Sequence, residues 1–286
     1  MKFGIELLTV FDLDPISFIE IAANQGSSTI SLGLSQFPKP VFGCEPWSIK
    51  EDQALFHSVQ SALRQNEVGV ALGEGFAIRA GQNIQQLDTD LGLMAELGAS
   101  RINTVVMGVE GKEADAQLLW LAERCAGLGM KMTLEFAPGL SVATVAQALE
   151  CLERVDHPNA YLLIDTMHWF RSGGCVQDIT RVPAGLIDYV QISDCRLRNE
   201  AKGGQLRAEN LNGYMQEATF ERLLPGLGEL PLLDFCSALE RVSQTPLVYS
   251  IELPNLAQAQ MAESASAWVH QCLCATRSVL NPPQTS

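Results

Sequence analysis

The segment AYLLIDTMHWF, residues 160–170, decides how the fold is interpreted. An apolar run ends there in Asp165, and a strand-to-helix turn that contains His168 follows directly. A carboxylate at the end of a buried strand is costly unless another group at that end interacts with it. The segment therefore predicts a buried strand that carries a functional side chain at its C-terminal end.

The same arrangement recurs in three further segments. An apolar run ends in Glu135 in KMTLEF, in Gln191 in YVQIS and in Glu252 in VYSIEL. Three carboxylates that converge on one site repel one another unless a cation neutralises them. The strand ends therefore predict a site for a divalent metal ion.

Short apolar, β-branched runs alternate with amphipathic stretches along the chain. The eight runs are KFGIELL, STISLGL, VGVALGE, RINTVVMG, KMTLEFA, AYLLIDT, YVQISD and LVYSIEL. The stretches with helical spacing are 15–24, 82–97, 115–127, 142–155, 232–242 and 256–274. This alternation predicts a single α/β domain over residues 1–286, a (β/α)8 TIM barrel with a C-terminal tail at 280–286.

An open, doubly wound sheet would show the same alternation, but its sequence signature is missing. No GxGxxG motif follows the first run, and GEGFAIRAG at residues 73–81 lacks the required spacing. A barrel also explains why polar residues recur at strand ends, because every C-terminal end faces the same mouth. The connection after the seventh strand, residues 195–228, is long and polar, which predicts a lid over that mouth.

The composition limits the partners of the protein. A net charge of −14 and a pI near 4.7 argue against nucleic acids and anionic membranes, which require a basic surface. The eight cysteines lack the spacing of a disulfide framework, and the first residues lack a signal-peptide pattern. No apolar run approaches the ~18 residues of a membrane span. We therefore expect a cytoplasmic protein that binds a small molecule; barrels often pair through their helices, so a homo-oligomer is compatible with the sequence.

The strand-end residues also predict the kind of metal. Glu135, Asp165 and Glu252 offer carboxylate oxygens, and Gln191 adds a neutral carbonyl oxygen. Such an oxygen set with three negative charges suits one hard or borderline ion. We expect Mn²⁺ or Mg²⁺, with Co²⁺ also compatible and Zn²⁺ less well suited.

Three further residues are predicted to contact the substrate. His168 follows the sixth strand and is placed to donate a hydrogen bond or a proton to the substrate. Arg171 and Arg222 carry guanidinium groups, which bind carboxylates and carbonyl oxygens in a bidentate way. Glu6 ends the first apolar run, and the sequence leaves open whether it reaches the mouth or closes the barrel floor.

Several of these motifs together resemble a known family. LEF at Glu135, DTMHWFRSGG, YVQISD, ERLLPGLGELPL at Arg222 and SIELPN at Glu252 are similar to the xylose isomerase-like TIM barrels, usually labelled sugar phosphate isomerases/epimerases and grouped with endonuclease IV. The resemblance covers essentially the whole chain. It implies that Glu135 and Glu252 are metal ligands and the catalytic acid/base pair, that Asp165 is a ligand, and that His168 and Arg222 contact the substrate.

The chain departs from part of this family at Gln191. Tagatose- and psicose-type epimerases have a histidine at this position, whereas a glutamine here looks more like hydroxypyruvate isomerases and 3-dehydroshikimate dehydratases. The departure weakens the interpretation as a free-hexose epimerase and favours a carboxylated keto compound, which would give Arg171 or Arg222 a carboxylate to bind. The endonuclease branch is disfavoured, because a trinuclear zinc site needs many more histidines than the four present.

The resemblance implies a metal-dependent isomerase or epimerase of carbohydrate metabolism that forms an enediolate. Return of the proton to the other face gives an epimer, return to the neighbouring carbon gives an isomer, and loss of a β-hydroxyl makes the enzyme a lyase of the dehydratase type. A ligand-binding barrel without turnover is the alternative from another class. The presence of Glu135 and Glu252 together with Asp165 favours catalysis.

Overall fold

The computed structural model describes residues 2–37, 39–197, 201–202, 205–206 and 208–281, and over 201–209 it describes the backbone alone. A closed barrel of parallel strands forms its centre. The barrel strands are β1 Gly4–Ile5, β2 Thr29–Gly33, β3 Gly69–Glu74, β4 Arg101–Thr104, β5 Lys131–Glu135, β6 Ala160–Asp165, β7 Ile187–Ile192 and β8 Val248–Ile251. Each strand pairs with its neighbours in sequence, and β8 pairs with β1 to close the barrel. The predicted TIM barrel is thereby confirmed.

Helices follow the strands around the barrel. They are α1 Pro15–Asn24, α2 Gln53–Gln65, α3 Asp88–Glu96, α4 Gly111–Gly127, α5 Val145–Val155, α6 Thr166–Arg171, α7 Ala208–Phe220, α8 Leu232–Val242, α9 Leu256–Met261 and α10 Ala265–Leu280. Short 3-10 turns cover Leu7–Val10, Ile84–Leu87 and Val176–Arg181. None of the helices in the described ranges is long and apolar enough to cross a membrane.

Two predicted elements differ in the structure. The helix predicted over 256–274 is divided into α9 and α10, because the chain leaves the helix at Ala262 and Ser264 caps a new one through the backbone N–H of Ala267. The long connection at 195–228 contains α7 and a short pairing of Ala201–Lys202 with Gln205–Leu206. Residues 198–200, 203–204 and 207 of that connection lie outside the described residues, and its role as a lid stays a prediction.

Alternation along the strands separates the two sides of the barrel wall. In β6, Leu162 and Ile164 belong to the main apolar core, whereas Leu163 packs in a small separate cluster with Tyr189 of β7. Side chains two residues apart lie on the same face of a strand, so Asp165 shares the face of Leu163. The apolar cluster therefore lies on the same face as the polar strand ends.

Candidate active site

The four predicted strand-end residues lie where the barrel strands finish. Glu135 is the last residue of β5, Asp165 is the last residue of β6, Gln191 is the penultimate residue of β7, and Glu252 directly follows β8. The strand register places Asp165 opposite Gln191, and Gln191 opposite Ser250. All four side chains are buried. The barrel thus brings the four residues to one end of neighbouring strands.

A first group of ligand atoms comes from Glu135, Asp165 and His168. One ligand atom of each lies within 4.8 Å of the others. Asp165 caps α6, because its Oδ1 accepts the backbone N–H of His168 at 2.9 Å. His168 Nε2 lies 3.5 Å from Glu135 Oε1. The sequence placed His168 beside the metal ligands as a substrate contact, and the structure also brings it within ligand distance.

A second group joins Glu252 to two carboxylates that the strand-end prediction did not use. Ligand atoms of Glu6, Glu74 and Glu252 lie within 4.8 Å of one another. Glu74 is the last residue of β3, so the strand-end signal was present in VGVALGE. Asn103 connects the two groups, since its Nδ2 donates to Glu135 Oε2 at 2.6 Å and to Glu74 Oε2 at 3.3 Å.

Glu6, whose position the sequence left open, belongs to the site. It is fully buried, and its Oε1 accepts a hydrogen bond from the Tyr189 hydroxyl at 2.6 Å. Gln191 Nε2 donates to Glu6 Oε2 at 3.4 Å. The other end of this amide, Gln191 Oε1, is buried and has no hydrogen-bond partner among the described residues. A buried carbonyl oxygen without a donor is destabilising, and a cation would satisfy it.

Arg222 links two of the strand-end carboxylates. It follows α7, and its Nη1 donates to Asp165 Oδ2 and lies 2.8 Å from Glu252 Oε2. The same nitrogen lies 3.3 Å from the hydroxyl oxygen of Ser193, and Nε donates to the Ala218 carbonyl oxygen at 2.7 Å. This guanidinium is almost fully buried, so it places a fixed positive charge among the acids.

Arg171 has different partners. Its Nη1 donates to Glu217 Oε2 at 2.7 Å, and its guanidinium lies 5.4 Å from the ring centroid of Tyr214. The Tyr214 hydroxyl is hydrogen-bonded to Nδ1 of His168. The structure therefore connects Arg171 to the site through Tyr214 and His168, and its predicted contact with substrate stays a prediction.

Burial and charge shift the protonation of these groups in opposite directions. Burial, with the nearby charge of Asp165, raises the pKa of Glu135 to about 7. Burial alone would also raise the pKa of Asp165, but Arg222 and then His168 outweigh it and lower that pKa to about 2. Burial lowers the pKa of His168 to about 4, so the imidazole is neutral near pH 7. One carboxyl near neutrality beside one that stays ionised is typical of acid/base sites.

A cavity of about 440 Å³ adjoins this site. Glu74 and Glu252 lie in its wall, together with the aromatic rings of Phe37 and Phe76. Lys50 and Asp90 also line it and form an ion pair at 3.1 Å. The cavity is large enough for a small hydroxylated molecule, and its wall carries more acidic than basic groups.

The comparisons with known proteins agree with this fold. The chain is 32% identical over 126 residues to a 3-dehydroshikimate dehydratase from Pseudomonas aeruginosa, a match that covers 42% of this chain and 20% of the dehydratase. The chain therefore spans about a fifth of that relative's length. It is 24% identical over 222 residues to a 2-oxo-tetronate isomerase from Pectobacterium atrosepticum, covering 72% of this chain and 83% of the isomerase.

Among solved structures, the IOLI protein with a bound zinc atom has the same fold. Its TM-score is 0.77 at 18% identity, and the alignment covers 100% of both chains. The sequence profile of the xylose isomerase-like TIM barrels matches residues 41–272, which is most of the chain. The chain belongs to the xylose isomerase-like TIM barrel family.

Proposed function

We propose that this protein is a divalent-metal-dependent isomerase or epimerase of a small hydroxy-keto compound. The observation that carries the proposal is the convergence of Glu135, Asp165, His168 and Glu252, all buried, at one end of the barrel. Its relatives include an isomerase and a dehydratase, which supports an enzymatic role.

The residues present fit a hard or borderline divalent ion. Glu135, Asp165, Gln191 and Glu252 would hold it, and Gln191 Oε1 is a buried acceptor that needs such a partner. When bound, the ion polarises a substrate carbonyl. Mn²⁺ or Mg²⁺ suits the oxygen donors best. Because the IOLI protein binds zinc, Zn²⁺ should be tried as well when the protein is reconstituted.

The chain's own groups supply the proton transfer. Glu135, whose pKa lies at about 7 in the metal-free site, accepts a proton from the carbon beside the carbonyl, which leaves an enediolate. Glu252 returns a proton from its own side of the site. Neutral His168 and charged Arg222 donate hydrogen bonds to the substrate oxygens and stabilise the developing negative charge.

The cavity supports a substrate without a phosphate group. Three acids line it, Glu74, Asp90 and Glu252, against the single lysine Lys50, which is already paired with Asp90. A phosphate dianion would therefore find no unpaired basic side chain in the described part of this wall to balance its charge. The Lys50 and Asp90 pair can instead donate to and accept from hydroxyl groups.

A dehydratase is the second candidate, and two observations favour it. One is the local similarity to 3-dehydroshikimate dehydratase. The other is Glu74, because burial and the nearby charge of Glu6 raise its pKa well above the usual range. A carboxyl that keeps its proton can protonate a leaving β-hydroxyl.

Product analysis distinguishes the candidates. The purified protein, reconstituted with Mn²⁺, is incubated with ketoses, their phosphates, hydroxypyruvate and 3-dehydroshikimate, and the products are identified by NMR. We expect an epimer or isomer of an unphosphorylated compound. A dehydrated product would select the second candidate, and bound ligand without any product would favour a binding barrel.

A further inference from the structure

We propose that Tyr214 is a positioning residue that keeps Nδ1 of His168 as a hydrogen-bond acceptor, and that the Arg171–Glu217 ion pair holds Tyr214 in place. This inference rests on the proposed function, in which Nε2–H of His168 donates to a substrate oxygen. It adds a residue from the predicted lid segment to the site.

The contact joins two helices through matched pairs of side chains. His168 and Arg171 lie three residues apart on α6, and Tyr214 and Glu217 lie three residues apart on α7. Residues at this spacing share one helix face. His168 is hydrogen-bonded to Tyr214, and Arg171 donates to Glu217 at 2.7 Å. The two contacts therefore form one seam between α6 and α7.

The four side chains of this seam are buried. Tyr214 is 1% exposed and Arg171 is 3% exposed, while Glu217 and His168 are 8% and 6% exposed. The Arg171 guanidinium packs on the Tyr214 ring at 5.4 Å from its centroid. Because Arg171 donates to Glu217 across the contact between α6 and α7, the ion pair helps to fix the helix that carries Tyr214.

The hydrogen-bonding capacities of the partners determine the tautomer of His168. The buried Tyr214 hydroxyl needs an acceptor for its proton, and Nδ1 of His168 is the ring nitrogen that it contacts. Nε2 faces Glu135 Oε1 at 3.5 Å, and a carboxyl oxygen at this position can accept a hydrogen bond from Nε2–H. The neutral imidazole therefore carries its proton on Nε2 and a lone pair on Nδ1.

The test measures the imidazole nitrogens directly. The ¹⁵N shifts of His168 are recorded in the full-length protein with Mg²⁺, at about pH 8 so that the ring is neutral. Wild type is compared with Tyr214→Phe, with Glu217→Gln and with the control Tyr249→Phe. Tyr249 is a buried tyrosine whose hydroxyl has no hydrogen-bond partner in the described residues.

We expect the wild-type Nδ1 to show the shift of a hydrogen-bonded acceptor and Nε2 that of a protonated nitrogen. Tyr214→Phe should move the Nδ1 signal to that of a free acceptor, Glu217→Gln should move it part of the way, and Tyr249→Phe should leave it unchanged. With a substrate in hand, kcat of Tyr214→Phe should fall about tenfold, the loss expected for one hydrogen bond, with KM nearly unchanged.

A proton on Nδ1 in the wild type would overturn the inference. So would identical Nδ1 shifts in wild type and both seam variants, if circular dichroism shows that the variants are folded. Absence of metal-dependent turnover in the wild type would contradict the proposed function alone, because the nitrogen shifts still decide the role of Tyr214.

Discussion

At the scale of single residues, the protonation of Glu135 is central to the proposed chemistry. Glu135 is 8% exposed, and burial followed by the charge of Asp165 brings its pKa to about 7. A base with a pKa near the working pH transfers protons most effectively. Removing that proton-accepting oxygen while keeping the shape of the side chain tests this role.

Glu135→Gln should keep the fold and much of the metal affinity and lower turnover by about 10²- to 10⁴-fold, the usual contribution of a general base. Steady-state kinetics on the identified substrate measures the effect. Glu153→Gln, an exposed change on α5, is the matched control and should leave the rate unchanged. Near-normal activity of Glu135→Gln would remove Glu135 from proton transfer.

The same substitution predicts a change in how stability depends on pH. The folded state keeps the Glu135 proton up to about pH 7, whereas the unfolded chain releases it near 4.5. The unfolded state is thus increasingly favoured as pH rises between these values, by up to about 3 kcal/mol in total. The free energy of unfolding of Glu135→Gln, measured with EDTA present, should therefore rise relative to wild type between about pH 5 and pH 7.

His168 has the opposite sign. Its pKa is lowered to about 4 in the folded state, below the ordinary value of 6.5. Because the folded state holds the imidazole neutral, the free energy of unfolding falls as the pH drops from about 6.5 towards 4. In the wild type this change partly offsets the opposite change due to Glu135. The difference between wild type and Glu135→Gln cancels this shared contribution, and a difference that does not vary with pH would contradict the assigned pKa.

At the scale of elements, the loop between β2 and α2 forms one wall of the cavity and is held by Asp12. Asp12 Oδ1 accepts the backbone N–H groups of Val41 and Phe42 at 2.9 and 2.8 Å. Its Oδ2 accepts those of Gly43 and Cys44 at 3.0 and 3.1 Å. A carboxylate is required here, because both of its oxygens accept hydrogen bonds. In an amide, the NH₂ group would face backbone N–H groups, which are also donors.

Asp12→Asn should therefore destabilise the protein by about 1–3 kcal/mol, because the backbone N–H groups lose hydrogen bonds to a charged acceptor. Urea unfolding gives the size, and hydrogen exchange should localise the loosening to residues 41–44. Asp156→Asn, at an exposed helix end, is the control. Unchanged exchange at residues 41–44 would show that Asp12 does not hold the loop.

At the scale of the whole molecule, a metal that binds the folded state should stabilise it. At a Mn²⁺ concentration of about 100 Kd, linkage predicts a gain of about 2.7 kcal/mol, a rise of roughly 5 °C or more in Tm for a chain of this size. Thermal unfolding with and without Mn²⁺ measures it. Asp165→Asn should lose most of the gain, and an equal gain in this variant would place the metal elsewhere.

The sequence was sufficient to predict the barrel, and it singled out four residues of the candidate site. Alternating runs fix the strands, and a polar residue at the end of a strand identifies Glu135, Asp165, Gln191 and Glu252, because all C-terminal ends share one mouth. Glu74 carried the same signal without being singled out.

Other site residues could not be predicted from local sequence. Glu6 could be assigned to the candidate site only from its contact with Tyr189, and this contact joins strands that are far apart in the chain. The contacts of Tyr214 and Glu217 with α6 depend on where α7 packs against the barrel. No periodicity in the sequence predicts that packing. Arg171, predicted to contact substrate, is paired with Glu217 for the same reason.

Deuterium exchange tests the central claim most directly. The protein is incubated in D₂O with a substrate from the panel, once with Mn²⁺ and once with EDTA, and the carbon beside the carbonyl is observed by NMR. Metal-dependent proton transfer predicts deuterium at that carbon with Mn²⁺ and none with EDTA. Conversion of substrate without any solvent deuterium at that carbon, or equal exchange with EDTA, would contradict metal-dependent proton transfer.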